Sequence, residues 1–170
     1  MIKYIPQDTS VTFSEIPDEI TLCFNISNCC NNCKGCHSAY LKQNIGAELT
    51  IDEIDGFIKK NDGITCVCFM GEGNDPEALQ SLILHIKEKY PTLKIGLYSG
   101  RENVDEDFYW DNLNYLKIGP YRAECGPLNV ETTNQRMYYG GPYYSWVCGI
   151  NGRPRYGWKD ITSKFWKNDS

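Results

Sequence analysis

The sequence predicts an α/β fold, a partial (β/α) barrel with a mostly parallel sheet, helices on its outside and an irregular C-terminal tail. Three observations lead there. Short apolar segments alternate with segments of helical period, the order strand, loop, helix that yields parallel strands joined by right-handed crossovers. The later strand candidates stop at Gly or Ser-Gly, so each C-terminal end opens into a loop. The chain has 170 residues, short of the roughly 200–250 that a full eight-stranded barrel takes, so one side of the sheet's mouth is expected to stay open. A single domain over 1–170 is expected, with its core over about 18–120 and its tail over 121–170.

In chain order, Ile20, Leu22, Phe24 and Ile26 alternate with Thr21, Cys23 and Asn25, a strand running straight into a cysteine-rich loop. Thr50 and Glu53 form a capping box, followed by Ile51, Ile54, Phe57 and Ile58 at helical spacing. The run from Ile64 to Met70 is short, apolar and rich in β-branched residues, as suits a strand buried on both faces, and it stops at Gly71. Asp75 as N-cap and Pro76 at the first position open a second helix with Ala78, Leu79, Leu82, Ile83 and Ile86 on one face, and Pro91 ends it. Lys94–Tyr98 reads as a strand closed by Ser99-Gly100, and Tyr115–Ile118 as another closed by Gly119-Pro120. Between them Asp105–Asn112 is a weaker helix candidate. After Tyr121 the periodicity fades while aromatic residues and Gly accumulate, among them Tyr138, Tyr139, Tyr143, Tyr144, Trp146 and Trp158. In an open α/β sheet, function belongs at the strands' C-terminal ends.

Composition narrows the function. A net charge of −5 gives no basic face for nucleic acid or an anionic membrane. No stretch approaches the ~20 apolar residues of a membrane span, and the first residues show no apolar signal core, so a cytoplasmic protein is expected. Nine cysteines are an odd number for a chain expected in a reducing compartment, which favours metal binding over a disulfide framework.

The loop after the first strand reads NCCNNCKGCHSAY and contains Cys29-x3-Cys33-x2-Cys36, overlapped by Cys30. Three thiolates on one short loop can hold a four-iron cubane with one iron left open, and an open iron can bind a substrate. Other chemistries fit parts of the string. Cys30, Cys33, Cys36 and His37 make a Cys3His zinc set, although structural zinc sites usually draw ligand pairs from two separated segments. Cys33-Lys34-Gly35-Cys36-His37 matches a c-type haem attachment string, and Cys33 with Cys36 matches a thioredoxin-like pair. Cys30 can also replace Cys29, with Cys-x2-Cys-x2-Cys spacing. Cys66 and Cys68 share one face of a buried strand, where Cys is ordinarily a small hydrophobe. Cys23 lies in a strand, and Cys125 and Cys148 carry no usable spacing. His85 sits on the second helix as a boundary residue.

The string Cys29-x3-Cys33-x2-Cys36 resembles the signature of the radical S-adenosylmethionine (SAM) superfamily. The stretch EIPDEITLCFNISNCCNNCKGCHSAY is similar to the activating proteins of anaerobic ribonucleoside-triphosphate reductase. Met70-Gly71-Glu72 takes the place of the superfamily's Gly-Gly-Glu, Tyr98-Ser99-Gly100 follows a later strand, and KIGPY with Asn134-Gln135-Arg136 resembles the family's C-terminal block. The likeness spans most of residues 11–140. Three positions depart from the pattern: Met70 replaces a Gly, His37 stands where an aromatic is common, and Asn114 stands where Asp is expected.

The resemblance implies a partial barrel of the radical SAM type. It also implies a [4Fe–4S] cluster on Cys29, Cys33 and Cys36, whose fourth iron is chelated by SAM and whose electron cleaves SAM to a 5′-deoxyadenosyl radical. Glu72 is expected to accept a hydrogen bond from the SAM ammonium, with Gly71 allowing close backbone approach. Ser99 is expected at the ribose or carboxylate, and the backbone of His37 against the adenine. The implied activity is glycyl-radical formation on anaerobic ribonucleoside-triphosphate reductase as protein substrate, with an electron donor such as flavodoxin. The tail, with Tyr143, Tyr144, Trp146, Arg153 and Arg155, has the composition of a docking surface and equally of core closure. Two alternatives stand beside this: a small radical SAM enzyme acting on a small molecule, as in deazapurine biosynthesis, and a zinc or iron–sulfur module without turnover.

Overall fold

The structure, a computed structural model, describes residues 1–103, 112–140 and 158–166. Its strands are β1 (Lys3–Tyr4), β2 (Ser10–Thr12), β3 (Thr21–Asn25), β4 (Ala47–Glu48), β5 (Cys66–Met70), β6 (Lys94–Tyr98), β7 (Tyr115–Ile118), β8 (Arg136–Gly140) and β9 (Trp158–Asp160). The helices are α1 (Ile51–Lys60) and α2 (Pro76–Lys89). β1 pairs antiparallel with β4, and the other seven strands form one sheet in the order β2-β3-β5-β6-β7-β8-β9.

The four central strands, β3, β5, β6 and β7, run parallel, as the alternation of strand and helix signals requires. Antiparallel strands flank them: β2 on β3 at one side, β8 on β7 and then β9 on β8 at the other. The fold is therefore mixed α/β with a mostly parallel centre. The tail departs from its expected irregularity, because Tyr138, Tyr139 and Trp158 belong to strands that extend the sheet. Their aromatic spacing is obscured in the sequence by an intervening stretch, and the short strand β9 is held by pairing that local pattern does not encode. The remaining tail aromatics and arginines expected at a surface, 143–155, lie outside the described residues. So do residues 104–111, which carry nearly all of the helix expected over Asp105–Asn112.

Both helices form where their caps require. Thr50 Oγ1 accepts the Glu53 amide at 3.2 Å, and Asp75 Oδ1 accepts the Ala78 amide at 3.0 Å with Pro76 at the first position. The Glu53 carboxylate serves another contact: its Oε2 accepts the Tyr4 hydroxyl at 2.5 Å, tying α1 to β1. Both helices bury one side against the same sheet face, where Ile54, Ile58, Leu79, Leu82, Ile83 and Ile86 pack with Leu22, Phe24, Val67, Phe69, Ile95, Leu97 and Leu116. Ile51, expected on that face, stands exposed at the first turn.

The opposite face carries a second, smaller core of Cys23, Cys66, Cys68, Tyr115 and Met137, covered by Ile16 and Ile161. Here β2 hands the chain to the segment 13–18, which crosses this face with Ile16 fully buried, while Lys164 meets Asp18 at 2.5 Å. Segments from the two sides of the sheet thus meet over its helix-free face.

Candidate functional site

Register assembles the floor of the site. Asn25 on β3 lies opposite Met70 on β5, Met70 opposite Tyr98 on β6, and Tyr98 opposite Lys117 on β7. Side chains one period apart point to the same face, and all four of these residues line one cavity of about 1090 Å³ on the helix-free side. Just beyond this row the strands end, and the loops that follow supply the walls.

Cys29, Cys33, Cys36 and His37 line the cavity from the loop after β3, Gly71 and Glu72 from the loop after β5, and Ser99 and Gly100 from the end of β6. Every residue assigned to the site from sequence is therefore brought to one space. Cys30 is exposed and outside the lining, Cys66 and Cys68 are buried in the core beneath it, and Cys125 also lies outside it. Cys148 lies outside the described residues. Among the described residues no three Cys, His, Asp or Glu side chains stand as a ready metal-ligand set. The three thiols share a wall without converging, and burial pushes the Cys29 thiol up from its ordinary value.

The cysteine loop is seated closely on its neighbours. Its two stems are joined by hydrogen bonds from the Asn28 amide to the Gln43 carbonyl and from the Cys29 amide to the Leu41 carbonyl, each 3.0 Å. The Cys36 amide donates to the Cys33 carbonyl at 3.3 Å, which makes a tight turn between two candidate ligands. The His37 and Tyr121 rings lie 5.3 Å apart. Gly100 permits the fit at the far side: a Cβ there would come within 2.3 Å of the Asn31 amide nitrogen. A larger residue after Ser99 would therefore displace the Asn31 side chain from the cavity wall.

Two buried charges face this space. Glu72 Oε2 accepts the Ser99 hydroxyl at 2.6 Å and Arg101 Nε at 3.1 Å, while Glu72 Oε1 is buried without a hydrogen-bond partner. An orphaned carboxylate oxygen at a cavity wall is a costly arrangement that a cationic donor would relieve. Ser99, expected from sequence at the ribose or carboxylate, donates its hydroxyl to Glu72 Oε2 and so fixes that carboxylate. Gly71, at φ +125°, turns the chain so that Glu72 follows at once, and a Cβ there would stand 3.4 Å from the Ile26 carbonyl oxygen.

The other charge is Lys117, 8% exposed, whose Nζ donates to the Gly119 carbonyl at 2.9 Å. Burial pushes its ammonium down to about 8, against the pull of Cys33, Cys36 and Cys29, which raises it. In the sequence Lys117 is marked only as part of the strand Tyr115–Ile118 and of KIGPY. Its signal was a lysine at the inward phase of an otherwise apolar strand. Gln135, Asn25 and Asn31 line the cavity too and were likewise not singled out for the site. Asn114 sits away from it, where its Oδ1 accepts the Ile95 amide at 2.9 Å.

The residues fit the implied groups in chemistry, with thiols on one wall, a carboxylate oxygen free to accept from an ammonium, and a buried ammonium free to meet a carboxylate. Comparison with known proteins adds no relative: no family model, curated protein or solved structure matches the chain. Among the described residues no helix is long and apolar enough to cross a membrane.

Proposed function

We propose that the chain is a radical SAM enzyme on a partial (β/α) barrel, and that it forms a glycyl radical on anaerobic ribonucleoside-triphosphate reductase. The observation that carries this reading is the union, in one cavity, of the Cys29, Cys33 and Cys36 wall with the unpartnered Glu72 Oε1 and the buried Lys117. A four-iron cluster and SAM, when bound, supply a 5′-deoxyadenosyl radical through one-electron cleavage of the sulfonium bond. The protein's part is to bind, orient and exclude water.

Cys29, Cys33 and Cys36 are the ligands, with the Cys33–Cys36 turn presetting two of them. Glu72, held by Ser99 and Arg101, accepts from the α-ammonium of SAM. Lys117, which lines the same cavity as Glu72, would meet the SAM carboxylate and so complement the ammonium contact. The apolar floor of Met70 and Tyr98 keeps water from the reacting carbon. The bound cofactor would supply the acceptor for a hydrogen atom from Cα of the target glycine, with 5′-deoxyadenosine as co-product and the unpaired electron left on the glycine. An electron donor such as flavodoxin is required upstream.

A second reading has one observation in its favour. Pro127, Leu128, Asn129, Gln135, Lys164 and Phe165 also line the cavity, so the C-terminal part of the chain walls it as a small-molecule radical SAM enzyme needs. Anaerobic reconstitution with iron and sulfide, followed by EPR of the reduced protein with and without SAM, tests the shared chemistry. A cubane signal that changes on adding SAM and is lost in Cys33→Ala is expected; zinc uptake with no SAM-sensitive signal overturns both readings. Reductase carrying deuterated glycine then separates them: deuterium in 5′-deoxyadenosine is expected for the activase, and its absence removes the protein-substrate reading.

A further inference from the structure

The cysteine loop carries a cation that its pattern does not explain. Lys42 ends the short 3-10 turn Ala39–Lys42, between Leu41 and Gln43, whose carbonyls receive the Cys29 and Asn28 amides. Its backbone is therefore fixed at the loop's base. Its side chain then runs along the loop and donates from Nζ to the Cys33 carbonyl and to Asn32 Oδ1, each at 3.2 Å. The Cys33 carbonyl is the same atom that receives the Cys36 amide. One ammonium thus anchors the turn joining two candidate ligands. Lys42 also lines the cavity.

An ammonium in this place has two effects. A hydrogen bond from a charged donor is stronger than a neutral one, and it holds the Cys33–Cys36 turn in one geometry before any metal arrives. A fixed positive charge beside a bound cluster stabilises the state with one more electron, since net charge and nearby hydrogen bonds are among the factors that set cluster potentials. We propose that Lys42 is a positioning residue of the cysteine loop that pins the Cys33–Cys36 turn and, on the radical SAM reading above, favours the reduced form of the cluster held there.

Three full-length variants test this. Lys42→Met removes donor and charge while keeping the stem, Lys42→Gln keeps a donor without charge, and Lys42→Arg keeps both. In metal-free protein, amide exchange over Cys33–Cys36 is expected to quicken about tenfold in Lys42→Met and to stay near wild type in Lys42→Arg. In reconstituted protein, an EPR-monitored redox titration is expected to show a lower midpoint potential in Lys42→Met and Lys42→Gln and an unshifted one in Lys42→Arg. Unchanged exchange together with unchanged potential overturns the proposal. Faster exchange with an unchanged potential overturns the charge role and keeps the pin. A wild-type chain that takes up no cluster ends the radical SAM reading, and the exchange contrast alone then decides whether Lys42 pins the turn.

Discussion

Glu72 and Lys117 owe their importance to what surrounds them. Glu72 has one oxygen satisfied by Ser99 and Arg101 and the other buried with nothing to accept. Glu72→Gln is expected to weaken SAM binding to the reconstituted protein roughly ten- to hundredfold, the worth of one charge-assisted hydrogen bond. Calorimetry reads this directly, and an unaltered affinity would remove Glu72 from the site. Lys117 carries a cost in the metal-free protein. Its folded pKa of about 8 lies below its ordinary 10.5, so the unfolded chain binds more protons between those values and stability rises with pH across that window. Lys117→Met is accordingly expected to be more stable than wild type at pH 7, by on the order of 2–3 kcal/mol. That margin shrinks as pH climbs from about 8 toward 10.5, as denaturant titrations at a series of pH values would register. The same variant should bind SAM more weakly, which separates a residue kept for binding from one kept for the fold.

The two helices meet through a buried carboxylate. Asp55 of α1 accepts His85 Nε2 at 2.9 Å, Lys89 Nζ at 2.6 Å and the Tyr90 hydroxyl at 2.9 Å, all from α2 and its end. Burial alone would raise its pKa, but the bonds from Lys89, His85 and Tyr90 outweigh that and hold it down to about 2. Because the folded pKa lies below the ordinary 3.8, this contribution is complete above that value and is lost as pH falls toward about 2. Asp55→Ala is expected to destabilise the protein by roughly 2–4 kcal/mol at neutral pH, with a lower thermal midpoint and little change at the cavity. His85 is one of those three donors: the sequence alone marks it as a boundary histidine, and only the approach of α1 supplies its partner. The caps at Thr50 and Asp75, by contrast, were legible, because a cap is satisfied by atoms three residues away.

Across the whole molecule, the segment 13–18 and the turn at 162–165 cover the helix-free face from opposite sides of the sheet. Ile16 is the wedge, fully buried beside Gly96 and Cys68 in the cluster that also holds Ile161. Ile16→Ala is expected to cost about 2–4 kcal/mol and to loosen the cavity wall, visible as faster amide exchange in residues 13–18 and 161–165. An exchange pattern unchanged in the second segment would mean that the two do not support one another. The parallel core and the loop-borne residues Cys29, Cys33, Cys36, Gly71, Glu72 and Ser99 were readable from sequence, since period, caps, turn residues and motif spacing are all local. Lys117, Gln135 and the strands β8 and β9 were not, because each depends on a partner distant in the chain. A strand pattern says that Lys117 points to one face, but only pairing with β6 and β8 says that this face is the cavity floor. The sequence by itself thus determined the local elements and which candidate residues their loops carry. Tertiary structure decided which charges share a cavity and how the sheet's two sides come together, for the physical reason that burial and register are set by contacts between segments and not within them.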